Sequence, residues 1–147
     1  MKDLVNRVEA IFGELGFKVY DVESDEEIYE ASFSRDNHFY GYLFIEKDNN
    51  FLELGYSYSF DIRDEELLRK NIEEIMNICY KYGSYFNVVK DEDEISLSVF
   101  SKIYYSGLNV ESLEDTLDDF ISCNEEISAV FDLHDENGDE GLSSEEI

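Results

Sequence analysis

Proline and tryptophan are absent from this chain of 147 residues, and only two cysteines, two histidines and eleven basic side chains occur. Without proline, a Gly/Ser-rich tract or a low-complexity run, nothing marks a domain boundary before about residue 132, and no internal repeat is visible. The two cysteines, Cys79 and Cys123, are too few and too far apart for a zinc site. Each falls on an apolar stripe of a predicted helix, so two buried thiols in a reducing compartment are expected rather than a bridge. Apolar runs also fall short of the ~20 residues that span a bilayer. The opening segment MKDLVNRVEAIFGELGF is amphipathic and has no continuous apolar stretch, so it does not read as a signal peptide, and the expected location is cytoplasmic.

What the chain does have is acid and aromatics. Thirty-seven Asp and Glu against eleven Lys and Arg leave a net charge of −26. Such a field repels nucleic acid and anionic membranes and attracts basic partners. With 43% hydrophobic and 15% aromatic residues the chain can still fill a core, unlike an acidic disordered segment. Its length suits one ordinary domain, residues 1–131, followed by an acidic tail, 132–147.

Periodicity supplies the elements. Leu4, Val8, Ile11, Phe12 and Leu15 recur at helical spacing, and Gly16 ends that helix. Alternation begins at Phe17 and continues through Ile28–Ser34, Phe39–Lys47 and Phe51–Phe60. In the last of these, Leu52, Leu54, Tyr56, Tyr58 and Phe60 share one face. Asp36-Asn37 and Asp48-Asn49-Asn50 supply hairpin turns. A second helix is predicted over Glu65–Tyr82, capped by Asp64 and ended by Gly83. Strands Tyr85–Lys90 and Ile95–Tyr105 flank the acidic turn Asp91–Glu94. A third helix opens at Asn109, or one turn later if Ser112 and Asp115 form a capping box, and carries Leu113, Leu117, Phe120, Ile127, Val130 and Phe131. The order α-β-β-β-β-α-β-β-α predicts an α+β fold, an antiparallel sheet with helices packed on one face.

That order resembles a bacterial family, the YbjN-domain proteins, whose fold is shared with type III secretion chaperones. The likeness rests on the first helix ending in ELGF (Glu14–Phe17), the aromatic meander, the block MNICYKYGSYFNVVKDEDEISLSVFSKI (Met76–Ile103) with its Asn77, and GLNVESLEDTLDDF (Gly107–Phe120). It spans about residues 3–131 and contains no sharp motif. The resemblance implies a fold built for protein–protein contact, regulatory or chaperone-like roles, frequent homodimers and no catalytic residues.

Three residue sets carry candidate chemistry. From Asp135 the tail reads as a degenerate EF-hand loop, with Asp135, Asn137, Asp139, Gly141, Ser143 and Glu146 as calcium ligands. It departs from the pattern at position 6, where Glu140 replaces the glycine of the sharp turn. The third helix crowds Glu111, Glu114, Asp115, Asp118 and Asp119 together, and no Lys or Arg follows Lys102. This is a candidate docking face for a basic protein, although such runs are more often merely solvated. The tyrosines Tyr40, Tyr42, Tyr104 and Tyr105 are candidate anchors on the sheet face away from the helices, expected to join a homodimer. For catalysis there is little: His38 and His134 lie far apart, and no nucleophile elbow or phosphate loop occurs.

The expected function is therefore non-enzymatic: a protein-interaction module, regulatory or chaperone-like, using the acidic helix and the aromatic sheet face. The alternatives are an immunity-type acidic inhibitor of a basic toxin or nuclease, a type III secretion chaperone, and a calcium-responsive binding module.

Overall fold

The computed structural model describes the backbone of residues 1–135 and the side chains of residues 1–132. The elements run α1 (Lys2–Glu14), β1 (Lys18–Ser24), β2 (Ile28–Arg35), β3 (His38–Glu46), β4 (Phe51–Asp61), α2 (Glu65–Tyr82), β5 (Tyr85–Lys90), β6 (Glu94–Tyr104) and α3 (Val110–Asp135). Short 3-10 turns, Ile62–Asp64 and Tyr105–Gly107, precede α2 and α3. The six strands form one antiparallel sheet in the order β1-β2-β3-β4-β6-β5, leaving β1 and β5 at its edges. The expected α+β order is the one observed, and α3 continues past residue 131 to Asp135.

The chain divides into two compact units. The first comprises Met1–Gly55 with Ser101–Asp118, and the second comprises Tyr56–Phe100 with the chain from Asp119 onward.

In the first unit, α1 buries Val8, Ile11 and Phe12. Its end is closed by Gly16 at φ 89°, a left-handed conformation that glycine adopts without steric cost. The chain then turns so that Phe17 donates its amide to the Phe12 carbonyl at 2.9 Å. Phe12, Phe17 and Phe33 meet edge to face, with ring centroids 5.3–6.0 Å apart, the arrangement that ring quadrupoles favour. Asp36 and Asn37 both take positive φ in the β2–β3 hairpin, as its turn chemistry demands. Two polar contacts hold the rim: Tyr29 donates to Glu9 at 2.6 Å, and Arg7 donates to the Leu108 carbonyl at 2.6 Å.

In the second unit, Tyr58 and Phe60 of β4, Ile95, Leu97 and Val99 of β6, and the apolar stripes of α2 and α3 form one core. The inward set of β4 is the one its alternation predicts. Asp64 stands at the N-terminal boundary of α2 but makes no capping hydrogen bond, contrary to expectation; the side chain that caps a backbone here is Asp61, which accepts from Arg63 N at 2.9 Å and opens the 3-10 turn. At the other end Gly83, φ 71°, sends the chain into β5, with Ser84 N bonded to the Cys79 carbonyl at 2.9 Å.

Candidate interaction surfaces

Asn109 caps α3. Its side chain accepts from Ser112 N at 2.8 Å, and Ser112 Oγ accepts from Asn109 N at 3.1 Å, a reciprocal pair in which serine does what Glu does in a capping box. The helix therefore starts at the earlier of the two expected positions. Leu113, Leu117 and Phe120 turn inward, leaving Glu111, Glu114, Asp115, Asp118 and Asp119 exposed. Glu111 and Asp115, Glu114 and Asp118, and Asp115 and Asp119 are each four residues apart, so like charges stack one turn above another. Among the described residues no Lys or Arg forms an ion pair with any of these five.

Further along α3 the acid is engaged. Glu126 accepts from the Tyr82 hydroxyl in a short hydrogen bond and from Lys81 Nζ at 3.1 Å. The Tyr82 bond first, and then Lys81, hold its carboxyl below its ordinary value. The two Glu126 contacts link α2 and α3 at the surface of the second unit. Sequence reading did not find them, because no pattern within 45 residues connects the partners.

Beneath that surface the second unit contains polar groups within its core. Tyr58 donates its hydroxyl to Asn124 Oδ1 at 2.9 Å, while Asn124 Nδ2 donates to the Phe120 carbonyl at 3.0 Å. Cys79 and Cys123 are both buried and unbridged. They share a thiol hydrogen bond: it raises the Cys79 thiol, with burial adding to the effect, and lowers that of Cys123. The two thiols therefore lose their protons as a pair.

The four expected tyrosines separate. Tyr42 and Tyr104 lie on the sheet face turned away from the helical side of the first unit. There Tyr42 touches Phe39 and Phe44, and Tyr104 meets Phe51 at 5.9 Å beneath Lys102. Tyr40 does not join them. The register of β2 against β3 shifts between Phe33 and Ser34, making Tyr40 an unpaired bulge residue. Its ring packs instead on Phe17, beside Arg35 and His38. Tyr105 lies in the 3-10 turn before α3; its hydroxyl is buried without a hydrogen-bond partner among the described residues, and burial raises its pKa.

The aromatic face is not purely apolar. Phe44 stands directly between Glu30 on β2 and Glu53 on β4.

Of the expected calcium ligands, Asp135 ends α3, while Asn137, Asp139, Gly141, Ser143 and Glu146 lie outside the described residues. Among the described residues no group of three or more His, Cys, Asp and Glu is arranged to hold a metal ion, and no helix is long and apolar enough to cross a membrane.

A further feature was present in the sequence but not singled out. From Ile75 to Lys90 sixteen consecutive residues include no Asp or Glu, in a chain that is a quarter acidic. In the second unit this run places Met76, Tyr80, Tyr85, Val88 and Val89 at the surface. Its signal is a gap in the charge pattern, invisible to a search for hydrophobic periodicity alone.

No protein-family model matches the chain, and no curated protein matches it. Among solved structures, its fold is similar to that of an uncharacterized protein from Methanothermobacter thermautotrophicus, with a TM-score of 0.69 and 13% identity over 88% of this chain and 96% of the other. At that identity the likeness establishes a shared fold.

Proposed function

We propose that the protein is a non-enzymatic interaction module that binds a protein with a basic surface through the first turns of α3. The supporting observation is energetic. Glu111, Glu114, Asp115, Asp118 and Asp119 are exposed and stacked as three like-charge pairs, each destabilising a helix by about 0.2–0.5 kcal/mol. Solubility needs charge but not this spacing, and a cationic partner would relieve the repulsion. A regulator, a secretion chaperone and an inhibitor of a basic toxin could all use such a face, and the identity of the bound protein distinguishes them.

The test begins with affinity capture, after which the captured partner is purified and its association with this protein followed by stopped flow. Association should slow steeply as salt rises, and Asp115→Asn/Asp118→Asn should reduce the on-rate at low salt by about tenfold. The same substitutions should raise the melting temperature slightly, because they remove repulsion. A partner whose on-rate responds neither to salt nor to these changes would refute the reading.

A further inference from the structure

The acid-free run of the second unit contains an open sheet edge. Among the described residues β5 pairs with β6 on one side only, Tyr85 opposite Phe100 through Lys90 opposite Ile95. Natural sheets protect such edges with charge, proline or a bulge. Here the strand reads Tyr-Phe-Asn-Val-Val, with its single charge, Lys90, at the far end. Val89 is 60% exposed, and on the adjoining end of α2 Tyr80 is 88% and Met76 53% exposed. Met76 and Tyr80 line a groove with Ser84, Tyr85 and Phe86, so strand and helix end form one continuous surface.

Charge decides what can occupy it. Two copies of this chain each have a net charge of −26. In a two-fold dimer each patch faces its own equivalent, so any acid in the contact is brought close to like charge. The aromatic sheet face, expected from the sequence to mediate self-association, places Glu30 and Glu53 on either side of Phe44. β5 itself contains no acid, and the one carboxylate that reaches it, Glu65, is paired with Lys90 at 3.0 Å.

The strand is also self-complementary. Antiparallel pairing about Asn87 sets Tyr85 opposite Val89 on one face and Phe86 opposite Val88 on the other, each pair occurring twice, with Ser84 opposite Lys90. Every partner is then apolar against apolar or polar against polar. The acidic turn starting at Asp91 leaves the strand beside Gly83 of the other copy. Stable dimers bury on the order of 1,200 Å² or more, which would need Met76 and Tyr80 as well as the strand.

We propose that this edge docks a second copy of the chain, β5 against β5 in antiparallel register centred on Asn87. The surface is separate from the acid row of α3, so either proposal can fail alone. Their salt responses are opposite: dimerisation should tighten as salt screens the mutual repulsion, whereas binding through α3 should weaken.

Sedimentation analysis of the full chain across micromolar concentrations should show a monomer–dimer equilibrium. Val89→Lys and Tyr80→Glu, both at exposed positions, should each raise the dissociation constant about tenfold or more while leaving the melting temperature of the monomer, measured well below that constant, unchanged. Asp115→Asn/Asp118→Asn should not weaken it. As an independent readout of register, Asn87→Cys should crosslink to its own copy under mild oxidation, since directly opposed residues lie within disulfide reach, and Val89→Cys should not. A wild type that stays monomeric, a dimer indifferent to both surface changes, or crosslinking through Val89→Cys as readily as through Asn87→Cys would overturn the proposal. An extended segment of another protein occupying the edge would give the first of these results.

Discussion

The two units are built on different interiors. The first has Phe12, Phe17 and Phe33 packed edge to face, and its named polar contacts, Tyr29 to Glu9 and Arg7 to Leu108, lie at the rim. The second is largely aliphatic but contains Tyr58, Asn124 and two thiols inside its core. Their surfaces differ as well. The first shows an acidic helix row, and the second shows sixteen residues free of acid. The Phe12–Phe17–Phe33 cluster of the first interior is therefore a matter of shape, and the Tyr58–Asn124 pair of the second a matter of hydrogen-bond satisfaction.

The largest effect should come from the aromatic interior. Phe33→Ala removes one of the three mutually contacting rings, a fully buried one, and urea unfolding should show a loss of about 3–5 kcal/mol, as for other buried Phe truncations. Retained stability would mean that the rings are not a shared core. In the second unit Tyr58→Phe leaves Asn124 Oδ1 without its tyrosine donor and should cost about 1–3 kcal/mol. Adding Asn124→Leu should cost less than the sum of the two single changes, because no half-satisfied group then remains. Strict additivity would remove hydrogen bonding from the contrast.

Thiol chemistry offers a milder probe. Cys79 and Cys123 should resist Ellman's reagent in the folded protein and react once guanidinium unfolds it, both being buried. Rapid reaction in the native state would show that the second interior opens readily.

The smallest effect concerns pH. The folded pKa of Glu126 lies below its ordinary value of 4.5, so its contribution to stability is present above that value and declines as pH falls through the folded pKa. Glu126→Gln should remove a small part of the acid-side slope of stability and leave the remaining dependence unchanged. A profile identical to wild type would show that the contacts with Tyr82 and Lys81 do not contribute.

Much of this fold was legible in the sequence because its signals are local. Glycines end α1 and α2, Asn109 caps α3, and alternation selects the inward residues of β4, so these elements appear where periodicity places them. Asp64 was misleading because a 3-10 turn runs straight into α2, leaving it at φ −97°, ψ 17° instead of the extended conformation from which an N-cap side chain reaches back to the helix amides. The candidate surfaces were only partly legible. The exposed acids of α3 follow from its apolar stripe, but Glu126 looks no different from them in sequence and is engaged by Tyr82 and Lys81. The edge position of β5 depends on strand order, which alternation does not encode.

The bulge at Tyr40 affects how homologous chains should be aligned. Residues before and after it count odd and even differently: Phe39 and Tyr42 share a face although three positions separate them. A relative lacking this one residue would keep every hydrogen-bonded pair of the hairpin on both sides of the gap, yet would lose the ring that reaches Phe17. An alignment placing the gap elsewhere in β3 would exchange inward and outward positions along the intervening stretch. Deletion of Tyr40 should thus be tolerated by the β2–β3 pairing and felt instead by α1, whose closing turn would lose a neighbour.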